Sequence, residues 1–201
     1  MSSETAIREL GTRSLAGTIG HVLMLSATLV LPHAGTFSKP LVFSLFVGLI
    51  ALRVIARHFA ITQPRRRGNL ALLATASIGC NVLWGLVVAN VQSDAGVGLP
   101  AVVFAFFLCG IATGSVSALA PAAWLQRVSL VVLIAPGIVL GISGNGVPAF
   151  AMLHGIFLAY TLVMGTVATR EFWQNVEAHV VQLSALGIVS GEVAGEAWSS
   201  W

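Results

Sequence analysis

Charged residues are scarce in this sequence of 201 residues, and their scarcity excludes most soluble folds. Only 8% of the residues are charged and 57% are hydrophobic, and the mean hydropathy is +0.93. Soluble globular domains carry about 25% charged residues, so this composition indicates an integral membrane protein. The net charge of +3 is small and spread among apolar segments. We therefore expect the lipid bilayer as a partner, and no nucleic acid.

Cysteines and catalytic motifs are also scarce. The two cysteines, Cys80 and Cys109, both lie inside apolar runs, so no disulfide framework is expected. Kinase, cyclase and protease motifs are missing, as is the pair of intramembrane carboxylates that proton-coupled transport commonly uses. The chain is therefore predicted not to be an enzyme and to need no cofactor or metal.

Long apolar segments predict an all-α integral membrane protein, with a bundle of six transmembrane helices and a short amphipathic C-terminal helix. A helix needs about 20 residues to cross ~30 Å of hydrocarbon. The predicted spans are Leu15–Pro32, Leu41–Ala56, Asn69–Val91, Leu99–Leu119, Val128–Ile142 and Val147–Ala168. The predicted domains are a cytoplasmic N-terminal tail (1–14), a six-helix membrane domain (15–169), a post-membrane signalling-type helix (170–186) and a flexible C-terminal tail (187–201).

Positive charges are distributed unevenly between the two sides of this predicted bundle. If the N-terminus is cytoplasmic, nine arginines face the cytoplasm and only Lys39 faces outward. The nine are Arg8, Arg13, Arg53, Arg57, Arg65, Arg66, Arg67, Arg127 and Arg170. Because cytoplasmic loops carry an excess of lysine and arginine, the pattern predicts a multi-pass protein with both termini in the cytoplasm.

The fourth predicted span is rich in small residues. Gly110, Gly114 and Ala118 are spaced four apart, so they share one face of a helix. Within lipid, such a face lets a neighbouring helix backbone approach closely. A helix-packing face is the first interpretation, and a face that lines a ligand site is the alternative.

Four other side chains fall at similar predicted depths in the membrane. At a rise of ~1.5 Å per residue, they lie about 15 to 23 Å from the cytoplasmic ends of their spans. They are Asn81, Trp84, Cys109 and His154. Together they form a candidate ligand pocket. The alternative is that the amide and imidazole hydrogen-bond between helices and that the cysteine is a small core residue.

After the sixth predicted span the sequence becomes amphipathic. Four residues in segment 170–186 follow the three-four spacing of a coiled-coil seam, namely Trp173, Val176, Val180 and Leu183. The seam is shorter than two heptads, too short to be stable alone. It is typical of the start of a signalling helix.

Several short motifs resemble a known bacterial module. They are Asn81-x-x-Trp84-Gly85, Gly110-x-x-x-Gly114-x-x-x-x-Leu119-Ala-Pro121, Pro136 in the fifth span and Phe172-Trp173. From about Ala74 to Leu186 the chain is similar to the six-helix N-terminal membrane region of certain sensor histidine kinases and diguanylate cyclases. That resemblance implies a location in the bacterial cytoplasmic membrane. It also implies a homodimer that signals to a kinase or cyclase output domain, in cis or in trans.

The chain departs from that family where catalysis takes place, because no phosphoacceptor histidine box, ATP-binding lid or cyclase loop is present. The expected function is therefore that of a non-catalytic signal-input module. A small six-span permease or transporter subunit is the alternative, since a short hydrophobic chain of this kind suits both.

Overall fold

A computed structural model of the chain describes residues 3–30, 39–65, 68–144 and 146–185. These residues form six α-helices and no strand, which confirms the all-α prediction. The helices are α1 (Ser3–Val30), α2 (Lys39–Thr62), α3 (Asn69–Ala95), α4 (Leu99–Ala118), α5 (Ala123–Ile142) and α6 (Pro148–Ala185). Among the described residues, α2 to α6 are the five helices long and apolar enough to cross a membrane. The predicted tail 187–201 and the predicted first-span end at Pro32 lie outside the described residues.

Short turns separate consecutive helices from α2 to α6. Gly68 stands before α3 with φ at 94° and Gly96 follows it with φ at 56°, a backbone region that favours glycine because it has no Cβ. Gly98 and Pro100 then begin α4, with the proline in the first turn, where its missing N–H removes no helical hydrogen bond.

Five of the helices are longer than the predicted spans, and the largest differences are in α1, α2 and α6. α1 begins at Ser3 rather than Leu15, α2 continues to Thr62 rather than Ala56, and α6 continues to Ala185. Hydropathy marks only the apolar part of a helix, whereas backbone hydrogen bonding continues through polar residues that have helical propensity. The post-membrane segment is therefore an unbroken extension of the sixth helix.

α3 lies at the centre of the bundle. In its apolar stretch 56% of the residues are buried, against 17% in α2 and in α6. Its Trp84 is fully buried, with its ring 4.5 Å from that of Phe46 on α2. Phe104 of α4 and Leu130 and Leu133 of α5 complete the surrounding core.

The closest backbone approach to α3 comes from α5 at Gly85. A Cβ at this position would lie 2.5 Å from the Leu133 carbonyl oxygen and 2.8 Å from that of Val132. Pro136 lies inside α5 and has no N–H, so it leaves the Val132 carbonyl without its usual helical donor. Gly85 therefore provides the space into which these carbonyls project.

Small residues also line the interface between α5 and α6. Gly137 leaves space for the His154 imidazole, Gly141 packs directly on Ala151, and Gly165 accommodates the side chain of Gln126. Glycines thus allow close packing of α5 against both α3 and α6.

Candidate functional site

A single arginine is buried among the first three helices. Arg53 lies nine residues before the end of α2 at Thr62, about 14 Å from that end along the helix. Only 4% of its surface is exposed. The structure therefore places Arg53 inside the bundle, and not in the cytoplasmic connection to which its charge was assigned above.

Each of the flanking helices contributes a neighbour to the guanidinium. Its Nη1 lies 3.1 Å from Nε2 of His21 on α1. Because an arginine can only donate hydrogen bonds, Nε2 of His21 accepts this one. The Cys80 thiol of α3 lies beside the same group. A Cβ at Gly17 would lie 2.6 Å from Nη2, so α1 passes close to the guanidinium at this glycine.

The charge of Arg53 has no acidic partner among the described residues. The ion pairs within those ranges join Arg13 to Glu9 and Arg65 to Glu4. Nε of Arg53 is buried and has no hydrogen-bond partner. Placing an arginine at the centre of a membrane helix costs about 2.5–3.5 kcal/mol on insertion scales, and an intramembrane charge retained at that cost marks a candidate functional site.

A cavity of about 110 Å³ adjoins Arg53 and His21. Small residues from α1 and α4 form most of its wall: Ala16, Gly17, Gly20, Gly110, Gly114, Ser115 and Ala118. Its volume is that of about four water molecules at ~30 Å³ each. The site thus combines a buried cation with open space beside it.

The predicted small-residue face of α4 forms one wall of this cavity. Gly110 and Gly114 are exposed, while Ala118 is buried. A Cβ on Gly114 would meet nothing within 4 Å, and one on Gly110 would meet only the terminal methyl of Met24. No backbone atom of another helix lies within 4 Å of either Cβ position, and both glycines line the cavity between α1 and α4.

The four residues of the sequence-based candidate pocket each pack elsewhere. Asn81 donates to the Ser129 backbone oxygen of α5 at 3.5 Å, and the Trp84 ring packs against that of Phe46 at a tilt of 44°. His154 packs against Gly137 and stacks on Phe150, and Cys109 is half-buried on α4. The cavity beside Arg53 is lined by other residues.

A second and larger crevice, of about 680 Å³, lies between the N-terminal half of α1 and the extension of α6. Two residues of the predicted seam, Val176 and Val180, line it together with Glu9 and Arg13. All four seam residues, including Trp173 and Leu183, are half-buried. Two of the four seam residues therefore face the crevice between the extension of α6 and α1.

Arg13 connects three helices at this crevice. Its Nε donates to Glu9 at 2.8 Å on its own helix, and its Nη1 donates to the Ser117 backbone oxygen of α4 at 3.4 Å. Its guanidinium also lies 4.8 Å from the centre of the Phe172 ring of α6, within the range of a cation–π interaction.

The same end of the molecule contains the turn between α2 and α3. Arg65 donates to the Glu4 carboxylate at 2.7 Å, and this hydrogen bond and the charge of Glu4 raise the pKa of Arg65. Together with Arg13, this contact places the beginning of α1 beside the ends of α2 and α4 and the extension of α6. Several arginines thus lie at one end of the bundle.

Sequence reasoning missed Arg53 and its partner His21, although one signal was present. Arg53 lies in the apolar run Leu49-Ile-Ala-Leu-Arg-Val-Ile-Ala56, within the predicted second span. An ionisable residue inside a span is a functional candidate by default. Its partner is 32 residues away, and no local spacing connects the two.

Over the part of the chain that the structure describes, the fold is all-helical, with five helices suited to crossing a membrane and a buried cation beside a cavity. Comparison with protein family models, with curated proteins and with solved structures finds no match to this chain.

Proposed function

We propose that this chain is a non-catalytic signal-input module of a bacterial cytoplasmic membrane, with α6 as its output. The observation that carries the proposal is that α6 is one unbroken helix of 38 residues. At 1.5 Å per residue it is about 57 Å long, nearly twice the ~30 Å of a hydrocarbon core. A helix of that length extends well past the hydrocarbon core and can carry a change in the bundle out of the membrane.

The crevice and Arg13 supply a place where such a signal can originate. The extension of α6 is separated from α1 by the crevice and is connected to it through Arg13 and Phe172. In our proposal, a change in the position of α1 moves α6 through this contact. The movement of α6 then alters how its extension pairs with that of a second copy, and the dimer passes the change to a histidine kinase or diguanylate cyclase domain.

We also propose that α1 is a sixth span. The part of this helix after Arg13 exposes five large apolar side chains, Leu15, Ile19, Val22, Leu23 and Leu29. Those side chains suit contact with lipid, and the cluster of arginines at the other end of α1 suits the cytoplasmic face. Six spans place both termini in the cytoplasm.

Reporter fusions will test this topology. Fusions after Gly68 and after Ala185 should report the cytoplasm, and a fusion after Gly96 should report the opposite side. A fusion after Ala185 that reports the outer side would contradict the even number of spans. If the fusion after Ala185 reports the cytoplasm as expected but the fusion after Gly96 does so too, α3 does not cross the membrane and the proposed topology is wrong.

A chimera will test the signalling function. With a diguanylate cyclase domain fused after Ala185, Arg13→Gln should change cyclase activity by about fivefold or more, the usual range of coupling between sites. Arg8→Gln is the matched control, because Arg8 is an exposed arginine on the same helix. Equal activities of the parent and both variants, with equal amounts in the membrane, would show that α6 is not coupled to α1.

A permease or transporter subunit is the second candidate function, and the cavity beside Arg53 favours it. A buried cation among small residues suits the passage of an anion. Uptake of anions into proteoliposomes, absent from liposomes that contain Arg53→Gln, would support this candidate. If Arg13→Gln changes the cyclase activity of the chimera and no anion uptake is found, the signalling proposal stands and the permease is excluded.

A further inference from the structure

We propose that the cavity between α1 and α4 binds a small carboxylate, with Arg53 as the charge that recognises it. The inference is independent of the signalling proposal, because it concerns what the cavity holds and not what α6 does. It rests on three observations: the burial of Arg53, its incomplete set of partners and the space beside it.

The first step concerns the charge. Arg53 is 4% exposed and forms no ion pair with a described residue. A buried ion without a partner is strongly unfavourable, whereas a bound monoanion would neutralise it. His21 accepts a hydrogen bond from Nη1 but brings no negative charge when it does so. The missing element of the site is therefore one negative charge.

The second step concerns the donors that face the cavity. Apart from His21 and Cys80, no described residue interacts with the guanidinium, and its Nε lacks a partner. Ser115 also lines the cavity, and its side chain carries a hydroxyl that can donate a hydrogen bond. Arginine pairs best with a planar oxyanion such as a carboxylate, because its N–H groups match the two oxygens.

The third step concerns size. About 110 Å³ has room for a carboxylate and a few carbon atoms. A phosphate dianion would bring a second charge for which the cavity has no second cation among its described lining residues, and an unmatched buried charge is costly. Short monocarboxylates, and the carboxylate end of an acyl chain, both fit.

The fourth step concerns access. Gly110 and Gly114 lie on the exposed side of α4 and have no side chains to close the cavity. A ligand can therefore reach Arg53 through the opening between α1 and α4, either from solution or from the lipid phase.

The experiment measures the thermal stability of the whole chain in nanodiscs as sodium acetate or sodium decanoate is added, with sodium chloride at equal concentration as reference. A ligand that binds the folded state raises the melting temperature. A shift with acetate supports a soluble source of the carboxylate. A shift with decanoate alone supports a membrane-borne source. Equal shifts with chloride, or no shift with either carboxylate, overturn the proposal.

Three variants locate the binding. Arg53→Gln removes the charge and should lower the carboxylate affinity by more than tenfold. Gly114→Val leaves every charge in place. A Cβ at this position would meet nothing within 4 Å, so the valine side chain has room to fill the cavity. It should therefore also abolish the shift in melting temperature. Arg57→Gln is the control, because Arg57 is one turn along α2 and does not line the cavity.

The variants also keep the proposal falsifiable if one of them fails to fold. Should Arg53→Gln not accumulate, Gly114→Val decides alone, since it leaves the guanidinium and its neighbours in place. A carboxylate shift that survives Gly114→Val would mean that the ligand binds elsewhere, and it would overturn the proposal.

Discussion

Gly85→Ala should lower the free energy of unfolding by about 2 kcal/mol, as expected for overpacking in a tight interface. The added methyl carbon would meet the carbonyl oxygens of Leu133 and Val132 at 2.5 and 2.8 Å. Both obstacles are backbone atoms, so relief requires α3 and α5 to move apart. Unfolding of the detergent-solubilised protein, followed by circular dichroism, measures the change.

Gly114→Ala is the matched control, because it makes the same substitution in the interior of another helix. Its Cβ would meet nothing within 4 Å, and alanine is a better helix former than glycine by up to about 1 kcal/mol. The two substitutions should therefore have effects of opposite sign. A loss of stability at Gly114 as large as that at Gly85 would contradict the assigned packing of both helices.

The contribution of Pro136 can be separated in the same assay. Pro136→Ala restores a donor for the Val132 carbonyl, which can then draw back into α5. The cost of Gly85→Ala should therefore be smaller in the Pro136→Ala background, a non-additive result expected of residues in contact. Equal costs in both backgrounds would assign the obstruction to the Leu133 carbonyl alone.

Deleting two residues from the extension of α6 should change the output of the cyclase chimera by about tenfold or more, within the range of strong coupling. Removal of Ala178 and His179, both exposed, rotates the rest of the helix by ~200°. Leu183 would then leave the face that it shares with Trp173. Cyclase activity in membranes, corrected for the amount of protein, is the measurement.

A seven-residue deletion is the control for length. Removing residues 174–180 shortens the helix further but restores the heptad phase, and should change the activity by less than about twofold, below the usual range of coupling. If both deletions leave activity unchanged, the helix is a passive tether and the permease becomes the better proposal. If both abolish it equally, length and not register controls the output.

Much of the helical architecture could be predicted from the sequence. The predicted beginnings of the third and fourth spans, Asn69 and Leu99, coincide with those of α3 and α4, because glycine and proline mark these turns. The beginning of α1, and the continuity of α6 from Pro148 through to Ala185, could not be predicted in this way. Both helices continue into polar sequence, where hydropathy gives no signal although helical hydrogen bonding continues.

Little of the candidate site could be predicted. The polarity of Arg53 was interpreted as a sign of the membrane surface, because a linear sequence does not distinguish an interfacial arginine from a buried one. Only the packing of α1 against α2 places His21 beside it. Gly110 and Gly114 were correctly grouped on one face, but whether that face meets a helix or a cavity depends on the tilt of α1.

The continuity of α6 makes its extension a lever arm. From Phe172, where Arg13 contacts the helix, to Ala185 the axis is about 20 Å long. Each degree of tilt about Phe172 therefore displaces the far end by about 0.3 Å, and a tilt of about 6° displaces it by about 2 Å. A small tilt at the Arg13 contact would therefore be magnified at Ala185, where it would change the distance between α6 and any neighbouring helix.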